Sequence, residues 1–246
     1  MTTPIRTAFL DFDRTLGTMT AGHYALYVRA CEEHGVAASM AALRDLELED
    51  AWARFDTPQG PDHRAISASH EDFRALRAEI AVERLHASGV EADDDTFEAI
   101  GQRIALLEEE PEHYWFYDET IPAIERLGQA GIECIVVSNH VWTLPQIVRH
   151  LDGRARFEAV VTSARVGYRK PHPAIFEAAL RLGTGAPEET LMVGDNVHAD
   201  IEGGRRAGLR PVLINRSPDP PRELAVPPEG TLVVTSLLDL PLEWPS

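Results

Sequence analysis

Four small clusters of reactive residue types stand out in this sequence. They are Asp11-Phe-Asp-Arg-Thr15, Ser138-Asn139, Lys170 within Tyr168-Arg-Lys-Pro-His-Pro173, and Gly194-Asp195-Asn-Val-His-Ala-Asp200. Asp11 and Asp13 are two apart at the end of an apolar run, and the period of an extended strand sends such side chains to one side. Two neighbouring carboxylates repel, so one holds its proton unless a cation intervenes. One can then attack phosphorus and form an aspartyl-phosphate. The other can protonate the leaving oxygen and later activate water. Alone, this pattern is equally compatible with acids that cap a turn. Asp195 and Asp200 add oxygen donors of the kind Mg²⁺ takes, alongside several waters and a substrate phosphate. Asp11, Asp195 and the Asp13 carbonyl form the expected inner set of metal ligands. Asp200 either binds the ion directly, binds through water, orients Asn196 or Lys170, or caps a helix starting at Ile201. Lys170, on a loop stiffened by Pro171 and Pro173, is placed to neutralise phosphoryl oxygens and Asp11 together. Thr15, Ser138 and Asn139 offer hydroxyl and amide donors for phosphate, or simple loop bracing and capping.

The elements that must position these clusters alternate along the chain. Ile5 to Phe12 reads as a buried strand. From about His23 to Glu109 helical periodicity dominates, with Tyr24, Tyr27, Val28 and Cys31 on one stripe. Thr57 to His63 breaks this region, and Asp93 to Thr96 reads as the start of a further helix. After Pro111 come helix 121–130, strand 132–137, helix 144–151, strand 159–162, helix 173–182, strand 191–193, helix 199–207 and strand 210–214. A last strand, 232–234, precedes a short helix at Leu237-Leu238, and Pro-rich 217–230 reads as a loop. Alternation of this kind predicts a parallel sheet covered on both faces. Ligands of such sheets bind at the carboxyl ends of the strands, where all four clusters fall. A helical insert leaving the first strand would sit over that mouth as a lid.

Composition narrows the function classes. The 246 residues are 44% hydrophobic and 26% charged, enough for a sizeable core. The formal charge is −17, from 40 acidic and 23 basic residues, which disfavours nucleic acid and anionic membranes as partners. No apolar run approaches the ~20 residues of a membrane span. Two cysteines, Cys31 and Cys134, make no disulfide framework or zinc site, and the start lacks a signal-peptide pattern, so the expected location is cytoplasmic.

Taken together and in order, Asp11-Phe-Asp-Arg-Thr-Leu16, Val137-Ser-Asn139, Arg169-Lys-Pro-His-Pro173 and Val193-Gly-Asp-Asn-Val-His-Ala-Asp-Ile201, running on to Arg206-Ala-Gly-Leu209, closely resemble the haloacid dehalogenase-like superfamily. The resemblance implies an α/β fold: a Rossmann-like core from residues 1–18 and 116–246, with an all-helical, C1-type cap at 19–115. It implies a Mg²⁺-dependent phosphatase with Asp11 as nucleophile, Asp13 as general acid/base and Lys170 as charge stabiliser. Thr15 or Ser138 would hold the phosphate, with Asp195 and Asp200 at the metal. The expected substrate is a small phosphorylated metabolite, and the expected state a monomer or homodimer. Rival readings are a dehalogenase or phosphomutase of the same superfamily, or an inactive binding protein on this fold. Two residues depart from the family pattern: Arg14 stands where glycine is usual, and His172 where aspartate is usual. Arg14 either contacts substrate or points into the cap interface, with the latter favoured; His172 reads as an exposed cap-like residue and not a catalyst. His140 and His198 receive no role. Within the insert, Trp52, Arg54, His63 and Arg64 are candidate substrate contacts, and Trp115 and Tyr117 read as packing at the return crossing.

Overall fold

The structure, a computed structural model, describes residues 2–20, 22–46, 69–216 and 226–245. Its first strands are β1 (Thr2–Pro4), β2 (Thr7–Leu10) and β3 (Gly17–Met19). Four helices follow: α1 (His23–Glu33), α2 (Met40–Asp45), α3 (His70–Ala87) and α4 (Asp94–Leu107). The chain returns through β4 (Tyr114–Phe116) to α5 (Thr120–Gln129), β5 (Glu133–Ser138), α6 (Leu144–Asp152), β6 (Ala159–Thr162), α7 (Ser163–Val166) and α8 (Pro173–Leu180). It ends with β7 (Thr190–Gly194), α9 (Gly203–Arg206), β8 (Arg210–Ile214), β9 (Leu232–Val234) and β10 (Glu243–Pro245).

Six strands form one parallel sheet in the order β6-β5-β2-β7-β8-β9. After β2 the chain builds outward on one side through β5 and β6, then crosses to build β7, β8 and β9 on the other. The order therefore reverses at β2, and the crevice of such a sheet opens there. Strand β2 is apolar throughout Ala8-Phe-Leu10 because both of its faces are covered. Ala8 and Leu10 join a core with Ile124, Leu127, Val136 and Val193, whereas Phe9 packs with Ile135, Val137, Phe176 and Met192 on the opposite face. Each such fully buried side chain contributes about 1.5–3 kcal/mol.

Between β3 and β4 the described elements are all helical. Asp93 caps α4, its carboxylate accepting the Thr96 N–H, as the sequence signal there predicts. Helices α3 and α4 cross so closely that a Cβ on Gly101 would lie 2.7 Å from the Ala78 carbonyl oxygen, so glycine at this mid-helix position is a packing requirement. The two chain crossings pair antiparallel, Gly17 opposite Phe116 and Met19 opposite Tyr114, a ladder the sequence reading lacks. It also lacks the β1–β10 pair that joins the two ends. Phe73, Leu76 and Ile80 of α3 pack on Ala164 of α7 and on Trp142 of the loop after β5, so α3 rests on elements at the carboxyl edge of the sheet. The helix expected over 199–207 is instead a π-helix, Val197–Glu202, followed by α9. None of the described helices is long and apolar enough to cross a membrane.

Candidate active site

Strand β2 delivers Asp11 to the carboxyl edge of the sheet, where its N–H donates to the Val193 carbonyl at 2.9 Å. The chain then turns sharply: the Phe12 carbonyl accepts the N–H groups of Thr15, Leu16 and Gly17. Arg14 sits in this turn at φ 56°, in the left-handed region. At the end of β5, Ser138 is buried and Asn139 turns its amide onto Lys170. The Asn139 oxygen accepts the Lys170 N–H at 2.7 Å and its NH₂ donates to the Lys170 carbonyl at 2.9 Å. This clamp, together with the prolines on either side of His172, fixes where the lysine enters the site.

Lys170 is 2% exposed, and its ammonium has three partners. It donates to Asp11 Oδ1 at 2.7 Å, to Asp200 Oδ1 at 2.6 Å and to the Val137 carbonyl at 2.8 Å. Burial alone would push this amine down, but the two carboxylates outweigh it and hold it above its ordinary value. Asp200 sits inside the π-helix, and its other oxygen accepts the Asn196 N–H at 3.0 Å. The capping reading of Asp200 is thereby corrected: Asn196 caps the π-helix, accepting the Ala199 N–H at 2.9 Å, while Asp200 turns inward to Lys170. That inward turn needs Gly194, since a Cβ there would lie 2.1 Å from Asp200 Oδ2.

One oxygen each from Asp11, Asp195 and Asp200 lie within 4.8 Å of one another. Carboxylate oxygens around an octahedral Mg²⁺, each at about 2.1 Å, can be no more than about 4.2 Å apart, so the donor set fits with a small contraction. The charge state fits as well. Burial raises Asp195 to about 6 and Asp200 to about 7, in both cases against a lowering by nearby cations. Nearly half of the Asp13 side-chain surface is open, yet it lies deep enough in the mouth that desolvation, then the Asp11 charge, raise its carboxyl to about 7. Acids so perturbed are those a bound cation would stabilise in the charged form.

The structure thus brings Asp11, Lys170, Asp195 and Asp200 into one constellation, with Asp13 at its rim and Asn139 behind it. Thr15 and Ser138 lie in the adjoining loops, both buried. The Thr15 hydroxyl has no hydrogen-bond partner among the described residues. His172 caps α8 through its ring nitrogen and stacks on Tyr168 at 4.1 Å. His198 lies 3.2 Å from Glu202. Trp52, Arg54, His63 and Arg64 fall outside the described residues.

Three features near the site carry no motif in the sequence. His140 is buried against Phe12 and Tyr114, with Nε2 3.6 Å from Asp13 Oδ2, too long for a direct hydrogen bond. Burial pushes its imidazole down to about 3, so it stays neutral. Arg216, just after β8, donates to the Thr15 carbonyl at 2.8 Å, pairs with Glu119 and lies over the Tyr117 ring at 4.0 Å, bracing the loop that follows Asp11. Arg77 of α3 donates to the buried Glu108, the residue just past the end of α4, at 2.7 Å, and its charge reaches Asp13. The position of a histidine directly after Ser138-Asn139, in a loop near the mouth, was the one sequence signal available for any of the three.

The pattern of the family described as haloacid dehalogenase-like hydrolase matches residues 5–208. The phosphoserine phosphatase of Thermus thermophilus is 31% identical over 176 residues, covering 71% of this chain and 66% of that one. The chain thus spans just under two thirds of that relative's length. Among solved structures, YfnB from Bacillus subtilis, a HAD hydrolase bound to magnesium, superposes with a TM-score of 0.68 at 21% identity, covering 95% of this chain and 96% of that one. The L-2-haloacid dehalogenase of Xanthobacter autotrophicus gives 0.63 at 19% identity, covering 96% of each.

Proposed function

We propose that this chain, which belongs to the haloacid dehalogenase-like hydrolases, is a Mg²⁺-dependent phosphatase that hydrolyses a small phosphorylated metabolite through an aspartyl-phosphate on Asp11. The observation that carries this reading is the buried Lys170 ammonium held between Asp11 and Asp200, with Asp195 completing a three-carboxylate set. The named phosphoserine phosphatase supports the reaction class.

In this reading a carboxylate oxygen of Asp11 attacks phosphorus, and the bond from phosphorus to the substrate oxygen breaks. Asp13, raised to about 7, gives its proton to the departing oxygen. Asp13 then takes a proton from water as that water attacks phosphorus, releasing phosphate and restoring Asp11. Lys170 holds the Asp11 side chain in place and offsets negative charge at the phosphoryl oxygens. Asp11, Asp195 and the Asp13 carbonyl would hold the ion, with Asp200 beside them. When bound, Mg²⁺ supplies positive charge that draws phosphate in and stabilises the transition state. Thr15, Ser138 and the Asn139 N–H are assigned to the phosphate oxygens.

Residues 19–115 act as the cap over a core of 1–18 and 116–246. Support comes from the paired crossings β3 and β4 and from the contact of α3 with Trp142. A cap closing on this mouth suits a small substrate. The chain's acidity argues against nucleic acid, and two free, buried cysteines suit a reducing cytoplasm.

The test is release of inorganic phosphate over a panel of phosphorylated metabolites, with Mg²⁺ and with EDTA. Turnover should require the ion, and Asp11→Asn should abolish it while the circular dichroism spectrum is unchanged. Phosphate release by Asp11→Asn, or halide release from a haloacid without Mg²⁺, would overturn the reading.

A further inference from the structure

The turn that follows Asp11 does not need an arginine. Its shape is set by the Phe12 carbonyl, which gathers three N–H groups, and by the Arg14 N–H, which donates to the Gly17 carbonyl at 2.7 Å. Residue 14 stands at φ 56°, where a side chain brings strain and glycine brings none. An arginine kept in such a place has its side chain as the feature to explain. That side chain reaches across to the other acidic loop: Arg14 Nε lies 3.1 Å from Asp195 Oδ2. Lys170 is already engaged by Asp11 and Asp200, so Arg14 is a second cation at the site, set on Asp195.

We propose that Arg14 sets the divalent-ion affinity of the site: its guanidinium occupies Asp195 and opposes cation binding, so that the chain binds Mg²⁺ more weakly than it would with an uncharged residue at position 14. This rests on the metal-dependent reading above. The physical basis is that a carboxylate shared between a guanidinium and a dication brings like charges within a few ångströms. The pair is not locked, because half of the Arg14 side chain is exposed, and a cation that draws on Asp195 can displace it into solvent. Arg14 is thus a positioning residue acting through Asp195. Its consequence is a higher free Mg²⁺ concentration for half-saturation.

The test is isothermal titration of the full chain with MgCl₂ in the absence of substrate. Arg14→Gly relieves the backbone and removes the charge, and Arg14→Asn removes the charge with a residue that tolerates the left-handed region. Both should bind Mg²⁺ about tenfold more tightly than the natural chain at low salt, the order expected for a like charge at this separation in a half-solvated site. Arg14→Lys should stay near the natural value, and the gap should shrink as KCl is raised, because exposed charges are screened. Asp195→Asn serves as the reference that removes the site. Asp195-dependent binding of equal strength in the natural chain, Arg14→Gly and Arg14→Asn would overturn the proposal and leave the metal site standing. Weaker binding in both variants would also overturn it, by making Arg14 an aid to Asp195. Absence of Asp195-dependent binding in every variant would overturn the metal-site reading and this proposal together.

Discussion

Lys170→Met is the substitution whose effect the structure constrains most tightly. The methionine keeps most of the buried aliphatic stem and deletes the ammonium. All three hydrogen-bond partners of that ammonium are then left at once: Asp11 Oδ1, Asp200 Oδ1 and the Val137 carbonyl. Removing one partner of a buried ion pair costs about 3–5 kcal/mol, because the remaining charge is uncompensated. The orphaned carbonyl adds about 1 kcal/mol. Against a total stability of about 5–15 kcal/mol this is a large share. Urea unfolding with EDTA present should therefore show a midpoint shift worth about 4–6 kcal/mol at unchanged slope. Phosphate release should fall by at least about 100-fold, the usual effect of losing a preorganised charge stabiliser.

Two controls separate charge from packing. In Lys170→Met/Asp200→Asn the second carboxylate cannot ionise, so much of the stability should return while turnover stays low; the two sites touch, and their effects should not add. The pH dependence has a definite sign. Lys170 is held above its ordinary value, so its contribution is fully present below the unfolded lysine pKa, and lost only as pH rises beyond the folded one. The deficit of the variant should be largest at high pH, because Asp200 loses the cation that lowers it and takes up a proton more readily than in the natural chain. It should narrow as pH falls, since Asp200, already raised by burial, is then protonated. A variant within about 1 kcal/mol of the natural chain and with normal turnover would refute the assignment of Lys170 as the charge that holds this site together.

Other outcomes follow from the same geometry. Gly194→Ala would set a methyl 2.1 Å from Asp200 Oδ2, and Asp200 is held from both sides, so stability should fall by about 3 kcal/mol by urea titration. Asn139→Ala removes both hydrogen bonds to the Lys170 backbone; kcat should drop about 10–100-fold with KM little changed, and a matching rise in KM alone would point to substrate contact instead. Burial pushes the Cys134 thiol up to about 12 and also raises Cys31, so neither should react with a disulfide reagent at pH 8 until the chain is unfolded.

What could be read from the sequence was whatever repeats over several residues. Ala159–Thr162, Arg210–Ile214 and Leu232–Val234 form strands over the expected ranges because apolar runs bounded by turn residues have few alternatives in a parallel sheet. The convergence of Asp11, Lys170, Asp195 and Asp200 was legible for the same reason, since each lies in or close to a loop after a strand and parallel strands share one carboxyl edge. The β3–β4 pair was not legible: Gly17-Thr-Met19 and Tyr114-Trp-Phe116 are too short to show a period, and their partners are about 100 positions away. Asn196 and Asp200 are both good caps by residue type. Only the tertiary pull of Lys170 decides between them, and it draws Asp200 inward. His140 owes its neutrality to Phe12 and Tyr114, residues remote in sequence, and Arg216 follows β8 with nothing around it that marks a role.

The balance of charge bears on which reaction of the superfamily this site suits. Four carboxylates, Asp11, Asp13, Asp195 and Asp200, meet two cations, the buried Lys170 and the half-exposed Arg14. Holding Asp195 ionised at neutral pH costs about 3 kcal/mol, from its shift to about 6. Attack on carbon with departure of a halide needs neither a proton donor nor a dication, so a dehalogenase would carry that cost, and the elevated acid at Asp13, without return. The phosphoryl transfer proposed above would use both: the surplus carboxylates would recruit a dication that the anionic substrate also needs, and the elevated Asp13 would supply the proton for the leaving oxygen. The likeness of 0.63 to a solved dehalogenase speaks for the shared fold. It does not supply a reason for two further acids at the mouth, and the chemistry of phosphate does.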